Sequence, residues 1–139
     1  MSKPGLGWIG AGVMGVPMCG HLLSAGYSLR INSRTRSKAD ALITQGAAWC
    51  ESPAQVAACS DIIFTMVGRP GEVRDVYFAE RGVFTGLRAG SIVVDMGTTP
   101  PSLTSEISQR ARAMQAHALD APVSGGDVGA INATLSIMV

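Results

Sequence analysis

Short apolar runs alternate with stretches of helical period along the whole chain, and glycine, proline or capping residues mark the changes. Leu6 to Ile9 is an apolar strand that feeds Gly10-Ala11-Gly12-Val13-Met14-Gly15, and an amphipathic helix follows until Gly26 closes it. Ser28 to Asn32 reads as a second strand, Ser37 to Gln45 as a helix stopped by Gly46, and Ala47 to Cys50 as a short third strand. Ser52-Pro53-Ala54-Gln55 is a helix start: Ser52 caps, Pro53 takes the first helical position, and Gln55 can reach back. Asp61 to Val67 carries the continuous apolar run of a strand buried on both faces. Glu72 to Phe78 forms a short helix and Ser91 to Met96 a fifth strand. Thr99, Pro100 and Pro101 open a helix with Leu103, Ile107, Ala111 and Met114 on one face, and His117 to Asp120 is a sixth strand. Thr134 to Val139 reads as one more buried apolar strand with nothing after it to cover it, the pattern of an interrupted protein.

Repeated strand–helix units imply right-handed crossovers, hence a mainly parallel sheet with helices on both faces. The expected fold is α/β, a doubly wound Rossmann-type domain over residues 1–139. That length can bury a real core. Hydrophobic residues make up 47% and charged ones 15%, with a mean hydropathy of +0.27, so part of the surface is expected to meet a partner. The net charge of +1 gives no support to a nucleic-acid or anionic-membrane role. Cys19, Cys50 and Cys59 are odd in number, lie in apolar or helical contexts and lack metal-ligand spacing, so they read as reduced structural thiols. No apolar run is long enough to span a bilayer. The first strand starts within a few residues of Met1, which leaves no room for a leader and suggests a cytoplasmic protein.

The glycine turn carries the first chemistry. Gly10 permits the tight turn, Gly12 lets backbone approach a pyrophosphate without a Cβ between, and Gly15 allows close helix packing; a turn that merely packs a helix on a strand is the alternative for all three. The helix start offers unpaired N–H groups to phosphate, so Ala11, Val13 and Met14 join the candidate site. Pro17, within the first turn, forfeits only an N–H that has no helical partner.

GWIGAGVMGVPM resembles the fingerprint of the β-hydroxyacid dehydrogenases, in which the third glycine is followed by x-Pro-Met. Asp120-Ala121-Pro122-Val123-Ser124-Gly125-Gly126, then Gly129-Ala130 and Thr134-Leu135, resembles the substrate-binding element of the same family. Ala133 departs from it, since the family usually has glycine before Thr-Leu. The family includes 3-hydroxyisobutyrate dehydrogenase, tartronate semialdehyde reductase, and the glyoxylate and succinic semialdehyde reductases. The resemblance implies an NAD(P)-binding domain joined to an all-helical C-terminal domain, with homo-oligomers of the whole protein. It also implies a catalytic lysine in a Gly-x-x-Gly-x-x-x-Lys pattern on the joining helix. Lys3 and Lys38 are the lysines of this sequence, and neither follows such a pattern.

An acid at the end of the second strand would accept both ribose hydroxyls of NAD and repel a 2′-phosphate. This chain has Ser33 there, followed by Arg34 and Thr35, which match the Asn-Arg-Thr pattern of NADP-using members. A guanidinium binds phosphate bidentately, so NADP is the expected cofactor and NAD a possible one. Arg34, Arg36 and Lys38 could instead form a solvated basic face. By resemblance Met66 and Val67 line the path of the cofactor, and Thr98 stands near the nicotinamide, although a core strand end and helix capping explain those residues equally well. By the same resemblance Ser124, Gly125 and Gly126 would hold a substrate carboxylate on two backbone N–H groups and a hydroxyl, whereas the residues alone read as an ordinary strand-to-helix turn. His21 and His117 have no partner pattern and read as structural. No metal site is expected.

The resulting reading is the NADP-binding part of an oxidoreductase that interconverts a small hydroxyacid and its semialdehyde. Two others stay open: a non-catalytic dinucleotide-binding module used in sensing or partner binding, and a nucleotide- or S-adenosylmethionine-binding enzyme.

Overall fold

The computed structural model describes residues 2–139. Six strands form one parallel sheet: β1 (Leu6–Ile9), β2 (Leu29–Asn32), β3 (Ala48–Trp49), β4 (Ile62–Thr65), β5 (Ile92–Asp95) and β6 (His117–Asp120). Their order is β3-β2-β1-β4-β5-β6, so strand order reverses between β1 and β4. In register, Ile9 stands opposite Asn32 on one side and Thr65 on the other, which brings three strand ends level at the reversal. Open parallel sheets bind ligands in the crevice that this reversal leaves.

Alternation along each strand sends side chains to two separate cores. Ile9, Ile63 and Val93 join one with Val56, Val73 and Tyr77, beneath α3 (Pro53–Ala58), α4 (Pro70–Phe78), the short α5 (Val83–Gly86) and α6 (Pro101–Ala113). Leu6, Trp8, Ile31 and Val94 join the other with Cys19 and Leu42, beneath α1 (Gly15–Ser24) and α2 (Asp40–Thr44). Each face of the sheet is therefore covered, as the expected doubly wound fold requires. Ser52 caps α3 by accepting the Gln55 N–H at 3.1 Å, and Gln55 Oε1 accepts the Glu51 N–H at 2.7 Å.

Several elements differ from the sequence expectation. The helix expected over 37–45 begins as a 3-10 turn at Arg36–Ala39 before α2. The apolar residues of α5 form a helix that the pattern does not predict, and the glycine-rich α7 (Gly126–Asn132) follows Ser124-Gly125 as the strand-to-helix alternative has it. The terminal strand is shorter and not buried. β8 (Ser136–Ile137) pairs antiparallel with β7 (Val123–Ser124) in a separate two-stranded ribbon, and both its residues are exposed. Its apolar composition imitated a core strand, but the ribbon stands apart from the main sheet. Cys19 and Cys50 are buried, and burial pushes both thiols up in pKa; Cys59 is exposed, contrary to a structural reading.

Candidate functional site

The three glycines after β1 have different surroundings. Gly10 has φ +114°, donates its N–H to Asn32 O at 3.0 Å, and would place a Cβ 2.2 Å from Met66 O. Its own carbonyl accepts the Trp8 indole N–H at 2.9 Å. A Cβ on Gly15 would lie 2.0 Å from Gly10 O, so α1 rests directly on the turn. Gly12 is exposed, and a Cβ there would meet nothing within 4 Å. Packing requires glycine at 10 and 15 but not at 12. Among the described residues, the N–H groups of Gly12, Val13 and Met14 have no backbone partner, and no side chain caps α1. Its first turn carries no acid, so the positive end of the helix faces open space.

The end of β2 forms the opposite wall. Asn32 is buried and donates from Nδ2 to Cys50 O at 2.8 Å, which anchors the strand end. Ser33 Oγ accepts the Ala11 N–H at 3.4 Å, tying the two loops together. Arg34 reaches Glu72 Oε1 at 3.4 Å from the start of α4. Two adjoining depressions result. One, lined by Ile9, Gly10, Asn32, Ser33, Arg34, Pro53, Val67, Glu72, Asp75 and Val76, is mostly apolar. The other, of about 350 Å³, runs along Gly10, Ala11, Gly12, Ser33, Arg34, Thr35, Lys38, Met66, Val67, Gly68 and Glu72. The fold thus brings Gly10, Ala11, Gly12, Ser33, Arg34, Thr35, Met66 and Val67 into one cleft, whereas Val13, Met14, Gly15 and Thr98, also expected at the cofactor, do not line it. It adds Glu72 and Lys38, which the sequence reading did not place there. Glu72 could have been found from its position, because it opens the helix that follows a strand at the sheet reversal.

A buried polar network fixes the end of β5. Asp95 Oδ1 accepts from Thr65 Oγ1 at 3.2 Å and from the Gly97 N–H at 3.1 Å, and Oδ2 accepts from Thr99 Oγ1. Thr65 accepts in turn from the Tyr77 hydroxyl at 2.9 Å. Tyr77 is fully buried, which drives its pKa well above the usual phenol range. Thr98 is exposed beside this network. The capping alternative fails for both threonines: the residue before α6 is Pro100, no side chain caps that helix, and Thr99 is held by Asp95.

Ser124 is exposed on β7, Gly125 has φ +134° and Gly126 has φ +62°. Cβ atoms on Gly125 and Gly129 would approach Leu135 Cδ2 at 3.1 and 3.0 Å, so the loop folds tightly over the Thr-Leu pair. His21 donates from Nε2 to Ala130 O at 2.9 Å and fastens α7 to α1, a structural role. Ala11, Gly12, Val13 and Pro17 share an open depression with Lys38, Asp127 and Ile131, so the glycine turn and the start of α7 face one another. Lys3 is bonded to Ala25 O and lies over the Tyr27 ring, and His117 is an exposed residue at the start of β6.

Comparison with known proteins gives this cleft a relationship. The family described as the NAD binding domain of 6-phosphogluconate dehydrogenase matches residues 5–139. This chain belongs to that family. The β-hydroxyacid dehydrogenase resemblance read from the two motifs is upheld as well. The chain is 50% identical over 137 residues to the probable 3-hydroxyisobutyrate dehydrogenase-like 1, mitochondrial, of Arabidopsis thaliana, covering 98% of this chain and 41% of that protein. The structure of Psf3 in complex with NADP+ and 2-OPP superimposes with a TM-score of 0.90 at 34% identity, over 95% of this chain and 47% of that one. The 3-hydroxyisobutyrate dehydrogenase of Mycobacterium tuberculosis, solved with L-serine, also gives 0.90, at 30% identity over 99% and 46%. The chain therefore spans under half the length of these relatives. Among the described residues no helix is long and apolar enough to cross a membrane, and no three His, Cys, Asp or Glu residues gather to hold a metal.

Proposed function

We propose that this NAD-binding domain serves an oxidoreductase that interconverts a β-hydroxyacid and its semialdehyde, with NADP(H) as the preferred cofactor. The observation that carries the reading is the open space at Gly12, set against unpaired N–H groups and facing Arg34 across the cleft. The N–H groups of Gly12, Val13 and Met14 would hold the pyrophosphate, and the apolar depression by Ile9 and Val67 would take the adenine. Ser33 leaves the end of β2 without an acid, and Arg34 with Thr35 would bind the 2′-phosphate. Met66, Val67 and Thr98 would line the path towards the nicotinamide, which supplies the hydride. Ser124, Gly125 and Gly126 would anchor a substrate carboxylate at the start of α7, whose Asp127 and Ile131 share a depression with the glycine turn.

The domain assignment for residues 1–139, a further helical domain carrying the proton-transferring lysine, and a homo-oligomer belong to the same proposal. Exposed Val128, Ile131, Ile137 and Met138 support the last two, since such apolar surface around α7 and β8 calls for cover. A reducing compartment, the cytoplasm, suits three free cysteines; fractionation would decide between it and the mitochondrion named for the plant relative.

Titration with NADPH and NADH tests the cofactor reading. Arg34→Ala should weaken NADPH binding by about 1.5–3 kcal/mol, the worth of a charged hydrogen bond, and leave NADH nearly unchanged. Equal losses for both would refute the phosphate assignment.

A further inference from the structure

Glu72 enters the same cleft from the wall opposite the end of β2. Its Oε1 lies 3.4 Å from Arg34 Nη1 and 4.0 Å from Arg69 Nε. The carboxylate is sheltered, with a side-chain exposure of 27%, while the two arginines project into solvent at 82% and 84%. Both Glu72 and Arg34 line both depressions. An oxyanion seated on the Arg34 guanidinium therefore comes close to the Glu72 carboxylate. No acid lies on the β2 loop itself, where Ser33 to Thr35 offer hydroxyls and a cation.

We propose that Glu72 is a specificity-determining residue that sets the balance between the two dinucleotides. It supplies, from across the cleft, the acid that the end of β2 lacks. Its carboxylate accepts a ribose hydroxyl of NAD(H) and repels the 2′-phosphate of NADP(H), while Arg34 acts in the opposite sense. The inference rests on the Arg34 reading above. Two unit charges roughly 5 Å apart in a water-like medium interact strongly enough to change affinity about fourfold, and a phosphate carries more than one charge, so an effect on the order of fivefold is expected after screening.

The test is calorimetric titration of NADP+ and NAD+ into the wild-type chain, Glu72→Gln and Asp75→Asn, at low and physiological salt. Asp75 lines the apolar depression, so its variant makes the same charge change in the same cleft without touching Arg34. Glu72→Gln should tighten NADP+ about fivefold without tightening NAD+, the gain should shrink as salt rises, and Asp75→Asn should move the ratio less than twofold. The proposal is overturned if Glu72→Gln leaves the ratio within twofold, or weakens NADP+, which would make Glu72 a holder of Arg34. It is also overturned if Asp75→Asn shifts the ratio equally. Arg34→Ala separates the failures: loss of NADP+ alone with no Glu72 effect sinks only this proposal, whereas equal loss of both dinucleotides sinks the cofactor reading with it.

Discussion

Gly12→Ala should separate folding from binding. The added Cβ meets no atom within 4 Å, and Gly12 has an ordinary negative-side backbone, so neither clash nor strain arises in the free protein. Stability should stay within about 0.5 kcal/mol of wild type, as for exposed substitutions, or within about 2 °C in melting temperature. In the bound state the methyl group would occupy the space that a pyrophosphate needs to reach the N–H groups of Gly12, Val13 and Met14. Losing one charge-assisted hydrogen bond costs about 1.5–3 kcal/mol, so affinity should fall roughly ten- to hundredfold. Gly10→Ala is the contrasting control. Its Cβ would sit 2.2 Å from Met66 O at φ +114°, so left-handed strain of about 1–2 kcal/mol adds to overpacking of about 1–3 kcal/mol. A fall of about 6–15 °C follows. Denaturant unfolding and thermal melts, run beside calorimetric titration with NADPH, read both quantities. A Gly12→Ala protein that binds like wild type, or that melts as low as Gly10→Ala, would refute the reasoning.

Two further outcomes are open to measurement. Ala133 closes α7 at φ +56°, a conformation natural to glycine, so Ala133→Gly should raise stability by about 1 kcal/mol in denaturant unfolding; a loss would show that another contact holds the turn. Asp120, on the exposed end of β6, has its carboxyl pKa raised, first by partial desolvation and then by the charge of Asp95. A folded pKa above the unfolded one gives stability that is fully present below the ordinary carboxylate range and lost as pH rises through the folded value. Asp120→Asn should therefore be more stable than wild type at pH 7 and show no such advantage below pH about 3; an equal gain at both pH values would contradict the electrostatic cause.

The sequence was most readable where local chemistry and tertiary demand agree. Buried runs such as Ile62–Thr65 and Ile92–Asp95 are parallel strands covered on both faces, so apolar composition alone marked them. Ser52 with Gln55 marked a helix start because capping is a local event. The same signals misled at the chain's end. Thr134 to Val139 has core composition, yet pairing with β7 across α7 leaves it on an exposed ribbon. Thr99 has the residue type of a cap, but the buried Asp95 carboxylate claims its hydroxyl. Lys38 was invisible to motif reading because it belongs to no local pattern, and Glu72 was legible only through its place in the first turn of the helix after β4; the folded sheet brings both beside Arg34 and Gly12.

The most direct test of the central claim is amide-resolved NMR of the 15N-labelled chain titrated with NADP+. The amides of Gly12, Val13 and Met14 and those of Ser33, Arg34 and Thr35 should shift together and saturably, and NAD+ should move the first group with a smaller effect on Arg34. Shifts confined to the β7–β8 ribbon, or no saturable shift at the glycine turn, would contradict the account.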